Sequence, residues 1–374
     1  MAELEELYRP GLEGIIAGET CVSTVEQDSL AYFGYRIEDL AEHSSFEEVA
    51  YLLLHGELPA AAELARFRAG LDRHRALPEP VLRTIEAIPR TVGGMDVLRT
   101  AVSMLGHFDP AQGDERADLV ARSVHVLAAV PSMIAARLRF LEGKQPIAPR
   151  PGLSHAGQFL YLRTGEPPDA LEERLLNLTL VLYAEHEFNA SAFAARVCAS
   201  TLSDLYSGIV TGIGTLKGPL HGGANEESMN LISRFETAEQ ARAWTEEAIA
   251  NKIKIMGFGH RVYKHGDHRA RILEPLMRDL ARQRGQEWRL GVYDAIKDTV
   301  FQRKQIYPNV DYPCGLTYFL MNLPLDSYTP LFVASRVSGW AAHVIEQVLN
   351  NRLIRPRSRY VGPAFREYVA IDRR

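Results

Sequence analysis

Apolar residues along this chain recur mostly at helical spacing. Val337, Trp340, Ala341, Val344, Ile345, Val348 and Leu349 follow an i, i+3, i+4, i+7 rhythm, which places them on one stripe of a helix. The spacing predicts an end near Asn350-Asn351, before Pro356. Upstream, Ser45-Phe46-Glu47-Glu48 reads as a capping box, in which the N-cap hydroxyl and a carboxylate three residues on each satisfy a free amide of the other. The apolar helix it opens is expected to stop at Gly56 and Pro59. Thr237-Ala238-Glu239-Gln240 repeats the signature. Residues 171–184 are apolar on nearly every face after the first turn, the pattern of a helix buried in a large helical domain, and run straight into Glu185-His186-Glu187-Phe188-Asn189. Strand-like alternation is confined mainly to residues 20–25 and 30–35, enough for one small N-terminal hairpin. The fold class expected is all-α with a minor β-hairpin.

Composition narrows the picture. With 374 residues, 46% of them hydrophobic and 24% charged, the chain can bury one large core or two unequal domains. The apolar run at residues 178–184 falls far short of the roughly 18 residues a membrane span requires, so no span is expected. The acidic start Met1-Ala2-Glu3-Leu4-Glu5-Glu6 is unlike a signal or transit peptide, which makes the cytoplasm the expected address. Cys21, Cys198 and Cys314 lie far apart with no C-x-x-C pair, so buried thiols are expected rather than a disulfide framework or a thiolate zinc site.

A net charge of -5 argues against a general nucleic-acid binder. Its distribution says more than its sum. Lys252, Lys254, Arg261, Lys264, Arg269 and Arg271, with His260, His265 and His268, stand against the single acid Asp267. Such a patch on an acidic chain suits either a small polyanionic ligand or a solvated basic face. Glycines 208, 212, 214, 218, 222 and 223 accumulate just upstream, as a hinge, a close backbone approach to a ligand, or tight helix packing would require.

Three segments present a titratable side chain from glycine-rich or turn-forming backbone: Lys217 to Asn225 around His221, Gly257 to Tyr263 around His260, and Pro308 to Tyr312 around Asp311. Familiar templates do not account for them. Gly212-Ile213-Gly214-Thr215-Leu216-Lys217-Gly218 lacks the third glycine of a dinucleotide loop, and its lysine precedes the glycine, with no Ser or Thr after it, so it is not a phosphate loop of the Walker type. His186-Glu187 lacks the second histidine of H-E-x-x-H. The spacing of His260, His265 and His268 fits no standard zinc pattern, and nearby cations would compete with a metal.

In order and separation, these three segments resemble the citrate synthase family. The likeness extends from Gly11-Leu12-Glu13-Gly14, through Gly34-Tyr35-Arg36-Ile37-Glu38-Asp39-Leu40, to Arg355-Pro356-Arg357-Ser358. The resemblance implies a large helical domain of residues 1–221 and 323–374, and a smaller helical domain of residues 222–322 that closes over the active site. It implies condensation of acetyl-CoA with oxaloacetate, with no metal and no cofactor. Asp311 would take the α-proton, His221 would donate to the thioester carbonyl, and His260 would polarise and protonate the ketone. A carboxylate with an ordinary pKa near 3.9 is a weak base toward such a carbon acid, so the enolate needs a preorganised donor in a dry pocket. An unperturbed histidine pKa near neutrality would suit His260 to its task.

By the same resemblance His186, Arg269, Arg336 and Arg355 hold oxaloacetate, with Arg355 reaching the partner's site in a homodimer. Met256, Gly257, Phe258, Gly259, Lys264 and Lys304 would hold CoA. The chain has no room for the extra N-terminal domain of larger, NADH-regulated relatives, so a dimer without that control is expected. The alternatives are a 2-methylcitrate synthase using propionyl-CoA, which the run Tyr183 to Ser191 and the pair Asp96-Val97 resemble, and a non-catalytic CoA-binding helical protein. Two places depart from the family pattern. Tyr312-Pro313-Cys314-Gly315 follow Asp311 where relatives often have an aromatic followed by Ser and a small residue, and Val92 to Thr100 lacks the commoner His-Pro-Met.

Overall fold

The computed structural model describes residues 8–26, 29–109, 111, 113, 115–260, 262–263 and 265–374. Sixteen α-helices are found among them. The first eight are α1 (Ile37–His43), α2 (Phe46–His55), α3 (Ala61–His74), α4 (Glu79–Ala87), α5 (Gly94–Leu105), α6 (Arg116–Leu141), α7 (His155–Thr164) and α8 (Ala170–Tyr183). The rest are α9 (Ala190–Ala199), α10 (Leu205–Leu216), α11 (Ala224–Ile232), α12 (Ala238–Ala250), α13 (His268–Gln283), α14 (Glu287–Lys304), α15 (Asp311–Leu320) and α16 (Tyr328–Leu349). The expected all-α class is what the chain adopts.

Local chemistry explains the boundaries. Ser45 accepts from the Glu48 amide while the Glu48 carboxylate takes the Ser45 amide, and Gly56 ends α2 at φ 90. Such a cap contributes about 1 kcal/mol. Thr237 and Gln240 form the second box at the start of α12. The N-terminal β element is larger than a hairpin: β1 (Ser23–Glu26), β2 (Ser29–Tyr32) and β3 (Tyr35–Arg36) form an antiparallel sheet in that order. Phe33 (φ 46) and Gly34 (φ 85) take the two left-handed positions of a tight turn, which splits the run expected at 30–35.

The core is organised around α16. It is buried on all sides from Tyr328 to Ile345, well beyond the predicted stripe, because α2, α6, α8, α9 and α10 all pack on it. Here two of the clustered glycines find their reason. A Cβ at Gly212 would stand 2.8 Å from the Trp340 ring, and one at Gly208 would stand 3.0 Å from Val344. Close packing of α10 on α16, rather than a hinge, requires them.

Between them, residues 224–320 supply α11 to α15. Within this set α12 packs on α14, α11 on α15 and α13 on α15. Helix α13 also faces α8 and α1, where His268 meets Glu38 at 3.0 Å. Helix α6 is long and apolar enough to cross a membrane by length and composition, with 78% of that stretch buried inside the fold. Polar and charged residues, among them Arg122, Ser123, His125 and Arg137, break up its apolar sequence. Burial of all three thiols holds only for Cys314; Cys198 is half-buried and Cys21 exposed.

Candidate active site

Asp311 opens α15, on a turn held from both sides. Its amide donates to Asn309 Oδ1 (3.1 Å), and its Oδ1 accepts from the Tyr183 hydroxyl at 2.6 Å. Pro313 does not disturb it. It lies in the first turn of α15, where an amide hydrogen would have no intrahelical acceptor to lose. Burial drives the Asp311 carboxyl up to about 6, and the Tyr183 hydrogen bond and Arg269 offset only part of that rise.

His221 sits in the turn between α10 and α11. The Ser191 amide (3.3 Å) and hydroxyl (2.8 Å) both reach its Nε2. An amide can only donate, so Nε2 accepts and the neutral ring carries its proton on Nδ1. Ser191 is itself fixed by Trp340 Nε1 at 3.0 Å. Burial, then Arg336, lowers His221 to about 4.

His260 has the opposite tautomer. The amides of Val262 (3.1 Å) and Tyr263 (3.2 Å) point at Nδ1, which leaves the proton on Nε2. Its ring stacks on Tyr263 at 4.4 Å and meets His186 edge-on at 5.0 Å. Burial and Arg269 lower it to about 4 as well, so the near-neutral value expected from its type does not hold. At neutral pH it is an uncharged donor. His186 is lowered well below the ordinary range by burial, then by Arg269 and His260, and its Nε2 lies 3.1 Å from the Tyr263 hydroxyl.

Two buried guanidiniums complete the set. Arg269 lies near the start of α13 and binds Asp267 with two hydrogen bonds, 3.0 Å from Nε and 2.8 Å from Nη2. Asp267 also accepts the Val310 amide at 3.0 Å, which couples Arg269 to the start of the Asp311 helix. Burial raises the Asp267 carboxyl, but Arg269 outweighs it and keeps it below its ordinary range. Arg336, from α16, donates Nε to the Tyr183 carbonyl (2.7 Å) and lies 4.8 Å over Phe332.

Gly257 (φ 85) and Gly259 (φ 79) shape the loop before His260. A Cβ at Gly257 would stand 2.3 Å from Ser228 Oγ, so glycine is required on two counts. The loop is laced to the Asp311 turn by Gly259 N–H to Tyr307 O and Asn309 N–H to Gly257 O, both 2.9 Å.

All of these groups line one cavity of about 630 Å³: His186, His221, Met256 to His260, Arg269, Asp311 and Arg336. Tyr183, Asn309, Phe332 and Lys254 line it too, and sequence reasoning assigned them no place there. Lys254 belonged to the basic run, a signal that pointed the right way. Lys304 does not line the cavity; it is exposed at the end of α14. Arg355 is exposed on the segment after α16, away from the cavity of its own chain. Lys264 lies outside the described residues. Among the described residues no group of three or more His, Cys, Asp or Glu could hold a metal ion.

A family model described as citrate synthase, C-terminal domain, matches residues 11–357. The chain belongs to the citrate synthase family. It is 45% identical to 2-methylcitrate synthase 1 of Corynebacterium glutamicum, over 98% of each chain. It is 42% identical to citrate synthase 2 of Bacillus subtilis, over 97% of this chain and 98% of that one. Among solved structures, citrate synthase from Thermoplasma acidophilum in ternary complex with carboxymethyl coenzyme A and oxaloacetate aligns with a TM-score of 0.92 at 34% identity, covering 97% of this chain and 98% of that one. Citrate synthases are enzymes that transfer an acyl group and convert it to an alkyl group, so the alternative of a non-catalytic binder falls away.

Proposed function

We propose that this enzyme condenses acetyl-CoA with oxaloacetate and water to give citrate and CoA. What carries the reading is the convergence of one raised carboxyl, two neutral histidines of opposite tautomer and two buried arginines in one cavity. Asp311 removes the α-proton of the thioester, and a pKa near 6 makes it a stronger base than an ordinary carboxylate while leaving it ionised at neutral pH. The Nδ1–H of His221 holds the enolate oxygen as its charge develops. The carbon nucleophile then attacks the ketone, whose oxygen is polarised by the Nε2–H of His260 and becomes the hydroxyl of the product. Water finally cleaves the citryl thioester.

Arg269, Arg336 and His186 take the oxaloacetate carboxylates, for which planar forked donors are well matched. The backbone of Met256 to Gly259, with Lys254, faces the CoA arm, and Lys264 and Lys304 remain further candidates for its phosphates. The unit of residues 222–322 closes after oxaloacetate binds and excludes water. Arg355 serves the partner's site in a homodimer. Its segment exposes Leu353, Tyr360, Val361, Phe365, Tyr368 and Ile371, an apolar surface that a second copy would cover.

Propionyl-CoA is the second reading, favoured by the run Tyr183 to Ser191 and the pair Asp96-Val97, which resemble that branch, and by relatives that carry both names. One methyl group is worth only about 1–3 kcal/mol in a pocket. Thiol release with oxaloacetate and each acyl-CoA decides: higher kcat/KM with acetyl-CoA supports the proposal, higher kcat/KM with propionyl-CoA replaces it, and no release with either removes both.

A further inference from the structure

Behind the cavity lies a buried polar chain that the chemistry above does not use. His343 and Glu185 are both fully enclosed, and His343 Nε2 lies 2.9 Å from Glu185 Oε1. On its other side His343 Nδ1 lies 3.1 Å from Arg196 Nη1, and Arg196 pairs with Glu346. A guanidinium can only donate, so Nδ1 accepts and Nε2 directs its proton to the Glu185 carboxylate.

The carboxylate lies directly on α16. A Cβ at Gly339 would stand 2.2 Å from Glu185 Oε2, and Gly339 falls between Arg336 and His343 on one helix face. Ser23 of β1 adds a clamp: its hydroxyl donates to Glu185 Oε1 (3.1 Å) and accepts the Glu187 amide (2.8 Å). One hydroxyl thus holds the residues on both sides of His186. Such a hold is needed, because Glu187 sits at φ 54, a left-handed conformation that residues with a side chain seldom adopt. Burial raises the Glu185 carboxyl, but His343, Arg336 and the His186 amide outweigh it and keep it ionised.

We propose that Glu185 and His343 are positioning residues for the oxaloacetate end of the site, locking the turn that carries His186 and backing Arg336 from within the core. This rests on the reading that His186 and Arg336 bind oxaloacetate. The test measures oxaloacetate binding to the full chain by titration calorimetry, beside KM for each substrate. His343→Leu removes the donor and is expected to weaken oxaloacetate binding and raise its KM about tenfold, with the acyl-CoA KM held to within about twofold. His343→Gln keeps a donor for Glu185 and an acceptor for Arg196, and is expected to return both to within about threefold of the parent. Ser23→Ala, which deletes only a hydroxyl, guards against misfolding of the Leu variant and is expected to weaken oxaloacetate at least about threefold. A parent that binds oxaloacetate while the Ala variant and any folded Leu variant bind it equally well overturns this inference alone. So does failure of Gln to rescue a weakened Leu variant. A parent that does not bind oxaloacetate overturns the functional reading, and this inference with it.

Discussion

Tyr183 donates its hydroxyl hydrogen to Oδ1 of Asp311 across 2.6 Å, joining the last residue of α8 to the first residue of α15. The bond favours the ionised carboxylate and so opposes the burial that pushes Asp311 up to about 6. As a base Asp311 works ionised, so activity is present above that value and falls as pH drops through it. Tyr183→Phe removes the opposing bond. The acidic limb of the kcat profile is expected to move to higher pH, and a limb that stays in place or moves down would count against Asp311 as the titrating base.

Asp311→Asn separates chemistry from stability. The variant is expected to bind oxaloacetate and lose condensation by at least about a thousandfold. It also bears on folding. A carboxyl whose folded pKa is raised stabilises the fold fully below its unfolded value near 3.9, and that stability is lost as pH rises through about 6. At pH 8 the Asn variant, free of that cost, is expected to be more stable by about 1 kcal/mol after allowance for the residue's partial exposure. The gain should vanish near pH 4. Denaturant titrations at the two pH values read it, and a variant less stable than the parent at pH 8 contradicts it.

Much of this arrangement was legible in the sequence, for identifiable reasons. Capping boxes at Ser45 and Thr237 are local chemistry, and glycines 257 and 259 mark a loop with two left-handed positions, the first of them too close to Ser228 for any side chain. His221, His260 and Asp311 each stood out against such backbone. Tyr183 did not, because an apolar run reports burial and cannot show that one hydroxyl reaches a carboxylate 128 positions away. Asp267 read as a lone acid in a basic patch, although it is the group that orients Arg269. The histidine pKa values depend on burial and on arginines distant in sequence, so residue type alone misjudged His260.

Gly212 tests packing against hinge. A methyl group there would press on the Trp340 ring, which is fully buried and cannot move aside. Gly212→Ala is expected to cost about 1–3 kcal/mol of stability by denaturant unfolding, the usual penalty of overpacking. With the ring tied to Ser191, and Ser191 to His221, kcat is expected to fall as well. An unchanged midpoint would mean that α10 and α16 are less closely packed than described.

The last prediction concerns Arg355, which its own chain places outside the cavity. If two copies share sites, a chain carrying Arg355→Ala still offers an intact His260, and a chain carrying His260→Ala still offers an intact Arg355. In a mixed dimer one of the two sites then receives both good residues, and the other receives both defects. Each variant alone is expected to be nearly inactive. Coexpression giving a random mixture should place half the dimers in the mixed state and restore about a quarter of parental activity. If Arg355 acts within its own chain, every site in the mixture keeps one defect and nothing returns, because no pairing of subunits can then assemble an unbroken set. Activity restored in proportion to the mixed dimer, separated by a charge tag, would tie the recovery to the shared site.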